Sequence, residues 1–290
     1  MLWRRTDIPY DAGLERDDLA MFADDTALVI FNADFATYRV LDPRSGDLLS
    51  SGELEPSAEP RRRGWCLGRR LLYVNAQKTP RLRLWDPLQA EFALDVPCEG
   101  RCLVDPGLGD GLAAILNGRQ LFVLDARDAS IVWSTRLTEA DAAAARQVRA
   151  VRDGDRFCIH VEHDVTNSPS SQATHDISGV PNVPLQGTLY VVDRRSQEHW
   201  SRVAPRCNLL LFPNDRLPVL VTLGRTREGE TDQGTSFVME VIDAATGATL
   251  GKRTNLTRTS KLLLHSRYDA EQGRLLLRGA DSEIAVRLVR

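Results

Sequence analysis

The sequence predicts an all-β chain, a six-bladed β-propeller of four-stranded antiparallel blades whose last blade is closed by the N-terminal strand. Three observations carry this. A short apolar run ending in aspartate recurs as "YRVLDPRSGDLL", "LRLWDPLQAEFA", "FVLDARDASIVW", "LYVVDRRSQEHW" and "MEVIDAATGATL". Upstream of each lies a turn signal between two apolar runs, and the chain shows six such signals, at 24, 68, 110, 154, 214 and 272. Their first three steps are 44, 42 and 44 residues, a basal period of about 43, which is the size of a four-stranded propeller blade. The later steps stretch to 60 and 58.

Within each unit the runs alternate or stay apolar over four to eight residues and are bounded by turn residues, as strands require. The blades fall at about 17–55, 61–97, 101–138, 147–204, 207–255 and 260–290 plus 1–6, within a single domain of 290 residues. The third is the clearest, with "RCLVD", "GLAAIL", "RQLFVLD" and "SIVWSTRL" as strands A to D. The sixth reads "KLLLHSR", "GRLLLRG" and "SEIAVRLV" and then ends at Arg290, without a strand D. In units three and four a tryptophan of strand D, Trp133 or Trp200, follows the aspartate by eight or seven residues. Trp3 stands where such a tryptophan falls if "MLWRRT" completes the sixth sheet, which removes the exposed sheet edge an open array would leave.

The run-ending aspartates are Asp42, Asp86, Asp125, Asp193 and Asp243. An aspartate carboxylate accepts backbone N–H groups just ahead of it, and glycine supplies a positive φ at the end of a tight turn. Asp42 and Asp243 lead into "PRSG" and "AATG". The other three copies keep the aspartate and lack the glycine, which predicts looser turns or turns of another type. "LDARDASIVW", "LDPRSGDLL" and "IDAATGATL" resemble the leucine-aspartate-alanine-x-threonine-glycine, then tryptophan, repeat of the quinoprotein-like β-propellers, also called pyrroloquinoline-quinone-like repeats. "LRLWDP" is similar instead to a WD-repeat, although no Gly-His pair opens the units. The quinoprotein resemblance implies the fold and a non-catalytic member, because the family's enzymes have eight blades and hold the quinone against a vicinal cysteine pair, and this chain has no Cys-Cys. No cofactor is expected.

Composition narrows the partners. With 37 basic and 40 acidic residues the formal charge is −3, so no global field attracts nucleic acid or an anionic membrane. The longest apolar runs, such as "LPVLVTLG", are far below the roughly 20 residues that cross a bilayer, so no membrane insertion is expected. Charges at residues 4, 5 and 7 interrupt any export signal, which predicts a cytoplasmic site for a complete chain; for a domain of a longer exported protein an extracytoplasmic one stays open. The odd set of cysteines, 66, 98, 102, 158 and 207, predicts reduced buried thiols, and Cys98 with Cys102 lacks the second pair a zinc knuckle needs.

Function is expected where the repeat is interrupted. Between strands B and C, unit four carries extra residues at 164–187 and unit five at 225–234, and a capping box, Thr138 with Asp141, starts a short helix ahead of unit four. All three fall on the B-to-C and D-to-A face of blades four and five, and long loops on a rigid scaffold are where binding concentrates. The expected partner-binding residues are Asn167, Asn182, Glu228, Glu230 and Asp232, taking a protein or peptide, with the chain a scaffold or interaction module, either by itself or as part of a larger multidomain protein or complex. The alternative is a metal-assisted hydrolase or small-ligand sensor at the central mouth of that face. His160 and Cys158 lie beside it, and a metal ion there would use His163 and His175 with the carboxylates of Asp164 and Asp176. The A strands offer mainly apolar residues plus Arg149, Asn208 and His265, which predicts a plugged axis rather than a catalytic channel.

Overall fold

The computed structural model describes residues 19–32, 37–54, 64–75, 78–163, 182–211, 217–225, 236–257, 265–269, 272–278 and 283–287. These form strands and one short helix, and every strand pairing is antiparallel. The chain divides into two compact units, residues 1–143 and 144–290.

In the first unit, three four-stranded meanders follow the predicted blades. They are β1 to β4 (Leu19–Ala23, Leu28–Asn32, Thr37–Leu41, Leu48–Glu53), β5 to β8 (Gly64–Leu67, Arg70–Asn75, Arg81–Asp86, Glu91–Pro97) and β9 to β12 (Cys102–Gly109, Leu112–Asn117, Gln120–Asp125, Ser130–Arg136). Strand β5 lies against β1, β2 and β9, so the first strands of successive meanders are neighbours. The core follows from the pattern: the middle strands are apolar on both faces, and β10 is buried at every position. Each fully buried leucine, such as Leu72, Leu84 or Leu116, contributes about 2 kcal/mol. Between the first two meanders the fit depends on Gly64, where a Cβ would lie 2.1 Å from the Phe31 ring.

The second unit departs from the expected blades. Strands β13 (Ala145–Asp153), β14 (Arg156–His163), β15 (Asn182–Asp193), β16 (His199–Leu210), β17 (Val219–Arg225), β18 (Ser236–Asp243) and β19 (Thr249–Thr257) form one seven-stranded sheet. Strand D of unit four and strand A of unit five, expected to be separate, are the two halves of β16. The connecting "VAPRC" has neither glycine nor a turn dipeptide, so the chain stays extended. Pro205, which has no N–H to donate, sits at a bulge: Ala204 pairs with Gly187 and Cys207 with Leu185, so two residues oppose Gln186 alone. For the same reason the insertion of unit four is shorter than expected, because Asn182 to Gly187 is paired strand. A last sheet holds β20 to β22 (His265–Asp269, Arg274–Arg278, Glu283–Arg287). The segment expected to complete it, residues 1–6, lies outside the described residues.

The repeated aspartates make the turns expected of them. Oδ1 of Asp42, Asp86, Asp193 and Asp243 accepts the N–H groups two and three residues on, at 2.7 to 3.2 Å, and Asp125 accepts that of Arg127 at 2.9 Å. The expectation for the copies without glycine is corrected. Gly46 and Gly247, four residues after their aspartates, have φ of 78° and 74°, and the equivalent Ala90, Ala129 and Gln197 have 54°, 59° and 60°. One turn type serves all five, since the carboxylate and a 2.8 to 2.9 Å backbone bond from residue five to residue one of the turn, seen at Gly46, Gln197 and Gly247, outweigh the left-handed strain of a side chain.

Candidate functional site

The described part of the expected site is the end of the seven-stranded sheet where β14 leaves off at His163 and β15 begins at Asn182. Three local features build it. First, α1 (Glu139–Ala144) opens as predicted: the Asp141 N–H donates to Thr138 Oγ1 at 3.1 Å, and the Thr138 hydroxyl donates to Asp141 Oδ2 at 2.7 Å. It runs directly into β13, whose first residue Ala145 is paired with His163.

Second, β15 is held by side chains where it faces the bulge of β16. Gly187 has φ of 140°, and a Cβ there would stand 2.1 Å from the Val161 carbonyl oxygen. The Gln186 N–H, with no ladder partner at the bulge, donates to His160 Nε2 at 2.8 Å. His160 is 1 % exposed. Burial first, then the nearby Arg149 and His163, hold its pKa down to about 4, so the ring is neutral. Its role is that of a buried acceptor that shapes the root of the insertion. Cys158, on the same face by strand alternation, packs with Leu189, Val191 and Leu209, and burial pushes its thiol up to about 12.

Third, a polar group edges this end. Arg149 is paired across the ladder with His160; its Nε lies 3.7 Å from Glu162 Oε2 and its Nη2 donates to Gln147 Oε1 at 3.2 Å. Among the described residues, His163 Nε2 and His160 Nδ1 are shielded from solvent and meet no hydrogen-bond partner.

Of the residues expected from the sequence, the structure thus places His163 at the last position of β14 and Asn182 at the first of β15, where it pairs with Leu210 rather than standing in a loop. Asp164, Asn167, His175, Asp176, Glu228, Glu230 and Asp232 lie outside the described residues. Among the described residues no three metal-ligating side chains gather. Arg149, expected on the axis, pairs with Glu162, and Asn208 Oδ1 is buried with no hydrogen-bond partner among the described residues. The sequence missed Gln186 and Gly187; a glycine two residues before a fully apolar "LYVV" was the available signal.

No family model matches the chain, and no curated protein is detectably similar to it in sequence. Among solved structures it is similar to β-propeller proteins. These include Hsv2 of Kluyveromyces lactis, 9% identical over 93% of this chain and 75% of that one with a TM-score of 0.36. BamB of Moraxella catarrhalis is 13% identical over 92% and 83%, with a TM-score of 0.32. The third, Atg21 in complex with the coiled coil of Atg16, is 11% identical over 93% and 80%, with a TM-score of 0.40.

Proposed function

We propose that this chain is a non-catalytic β-propeller scaffold that binds a protein or peptide through the loops joining strands B and C of units four and five. The reading rests on one observation. The B-to-C connection of unit three is a two-residue turn between Asn117 and Gln120, whereas that of unit four spans residues 164–181 and is rooted on a rigid bulge held by His160 and Gly187. A long segment on a fixed base, polar and rich in serine, suits binding to a partner. Asn167 in that segment, with Asn182 at its base, and Glu228, Glu230 and Asp232 in the B-to-C connection of unit five supply the hydrogen-bonding and acidic groups. Six blades closed by residues 1–6 make the scaffold, and the adjacency of β1, β5 and β9 supports the radial arrangement of first strands.

The test is affinity capture with the full chain and with a variant in which residues 164–181 are replaced by a short turn. A partner bound by the first and lost by the second, with unchanged thermal unfolding, is the expected result; equal binding by both removes the proposal's basis.

The alternative, a metal-assisted or ligand-sensing site, draws on the shielded, unpaired Nε2 of His163. His163, Asp164, His175 and Asp176 would hold the ion. Elemental analysis of protein purified without a histidine tag should then show stoichiometric metal that His163→Ala removes.

A further inference from the structure

Cys98 and Cys102 take no part in the proposed binding face, and their setting differs from that of the other cysteines. Cys98 follows the end of β8, and its N–H donates to the Pro80 carbonyl at 2.8 Å. Cys102 opens β9, paired with Asn117. Between them the chain turns at Gly100, whose φ of 114° suits glycine alone. The turn is tied down on both sides. The Glu99 N–H donates to Asn117 Oδ1 at 2.8 Å, Asn117 Nδ2 donates to the Pro97 carbonyl at 3.0 Å, and the Gly118 N–H donates to the Arg101 carbonyl at 3.1 Å. Gly118 is required for that approach, since a Cβ would meet the Glu99 carbonyl oxygen at 2.5 Å.

The outcome is two half-buried thiols, four positions apart across a fixed turn and packed against one apolar cluster. Interaction with Cys102, helped by the Arg81 guanidinium and opposed by burial, holds the Cys98 thiol below its ordinary value, and Cys98 together with burial raises Cys102. Burial instead pushes Cys66, Cys158 and Cys207 each up to about 12, which leaves them protonated and inert.

We infer that Cys98 and Cys102 are a redox-active thiol pair that closes to an intramolecular disulfide on reaction with a small-molecule disulfide, such as oxidised glutathione, and so staples β8 to β9. The Cys98 thiolate attacks one sulfur of the oxidant, whose S–S bond breaks and releases one glutathione thiolate. Cys102 then gives up its proton and attacks the Cys98 sulfur of the mixed disulfide, expelling the second glutathione. Two protein thiols are oxidised, one disulfide is reduced, and the two protons finish on the glutathione thiols.

The experiment uses the reduced full chain, incubated with oxidised glutathione at neutral pH and followed by intact mass and by peptide mapping after denaturing alkylation. The wild type should lose two hydrogens, retain no glutathione, and show a 98–102 crosslink while the other three cysteines alkylate. Cys102→Ser should retain one glutathione on Cys98, and Cys98→Ser should react at least about tenfold more slowly. A persistent glutathione adduct on the wild type, or equal rates in the two variants, overturns the inference. The wild-type arm decides the matter even if a serine variant folds poorly.

Discussion

The positive-φ position four residues after each repeated aspartate is where single side chains set stability. Alanine at positions 90 and 129 and glutamine at 197 hold a conformation that glycine adopts freely. Ala129→Gly, and likewise Ala90→Gly, should therefore raise stability by about 1 kcal/mol in chemical denaturation. The reverse change is worse than its mirror image. Gly247 has φ of 74°, and a Cβ there would lie 2.6 Å from the Trp200 ring, whose Nε1 donates to the Ala244 carbonyl at 3.0 Å. Gly247→Ala should cost about 3 kcal/mol, combining backbone strain with overpacking. His160 adds a pH dependence. Its folded pKa of about 4 lies below the 6.5 of the unfolded chain, so between those values only the unfolded state takes up the proton. The associated stability, about 3 kcal/mol, is complete above pH 6.5 and is lost as the pH falls toward 4. Urea denaturation across that range should show the slope in the wild type and a flat line in His160→Gln, which keeps an acceptor for Gln186. Asp42, Asp193 and Asp243 act at lower pH. Backbone N–H groups three, then two, residues ahead hold their carboxyls below the usual range, so their contribution persists above it and disappears as the pH falls through the folded value.

At the scale of elements, the strand C to strand D hairpins share a device that the repeat pattern concealed. One extra residue bulges from the outer strand at Leu49, Ala93, Val132 and Leu250, each opposite the position just before the aspartate. Bulges increase twist and blunt an edge, and here they turn Leu49 and Leu250 outward, 48% and 58% exposed. Strands β15 and β16 have their bulge elsewhere, at Pro205 and Arg206 opposite Gln186, and run on as a joined pair. This sets where the insertion can be cut. Replacing residues 164–181 by a turn should leave the melting temperature within a few degrees of the wild type. Extending the deletion through Gly187 removes the pairing of Asn182 to Leu185 with Cys207 to Leu210, and should lower it far more.

For the whole molecule, the part of the proposal with the largest consequence is closure of the ring, in which residues 1–6 would supply the outer strand beside β22. Hydrogen exchange should then show amides 2–6 protected alongside those of β22, and deletion of residues 1–6 should expose the β22 amides. Fast exchange of that segment in the intact chain would leave the sixth sheet three-stranded. What the sequence determined by itself was everything carried by local chemistry: strand runs, their antiparallel order in the first three meanders, the aspartate turns and the Thr138 cap. These depend on residues a few positions apart, so the pattern along the chain suffices. What only the tertiary structure decided depends on residues far apart. "VAPRC" became the middle of a strand because Leu185 and Gly187 lie opposite it, and His160 became a neutral, buried acceptor because packing removed water from it. Pairing across the sheet and exclusion of water are properties of the assembled fold, and no run of residues states them in advance.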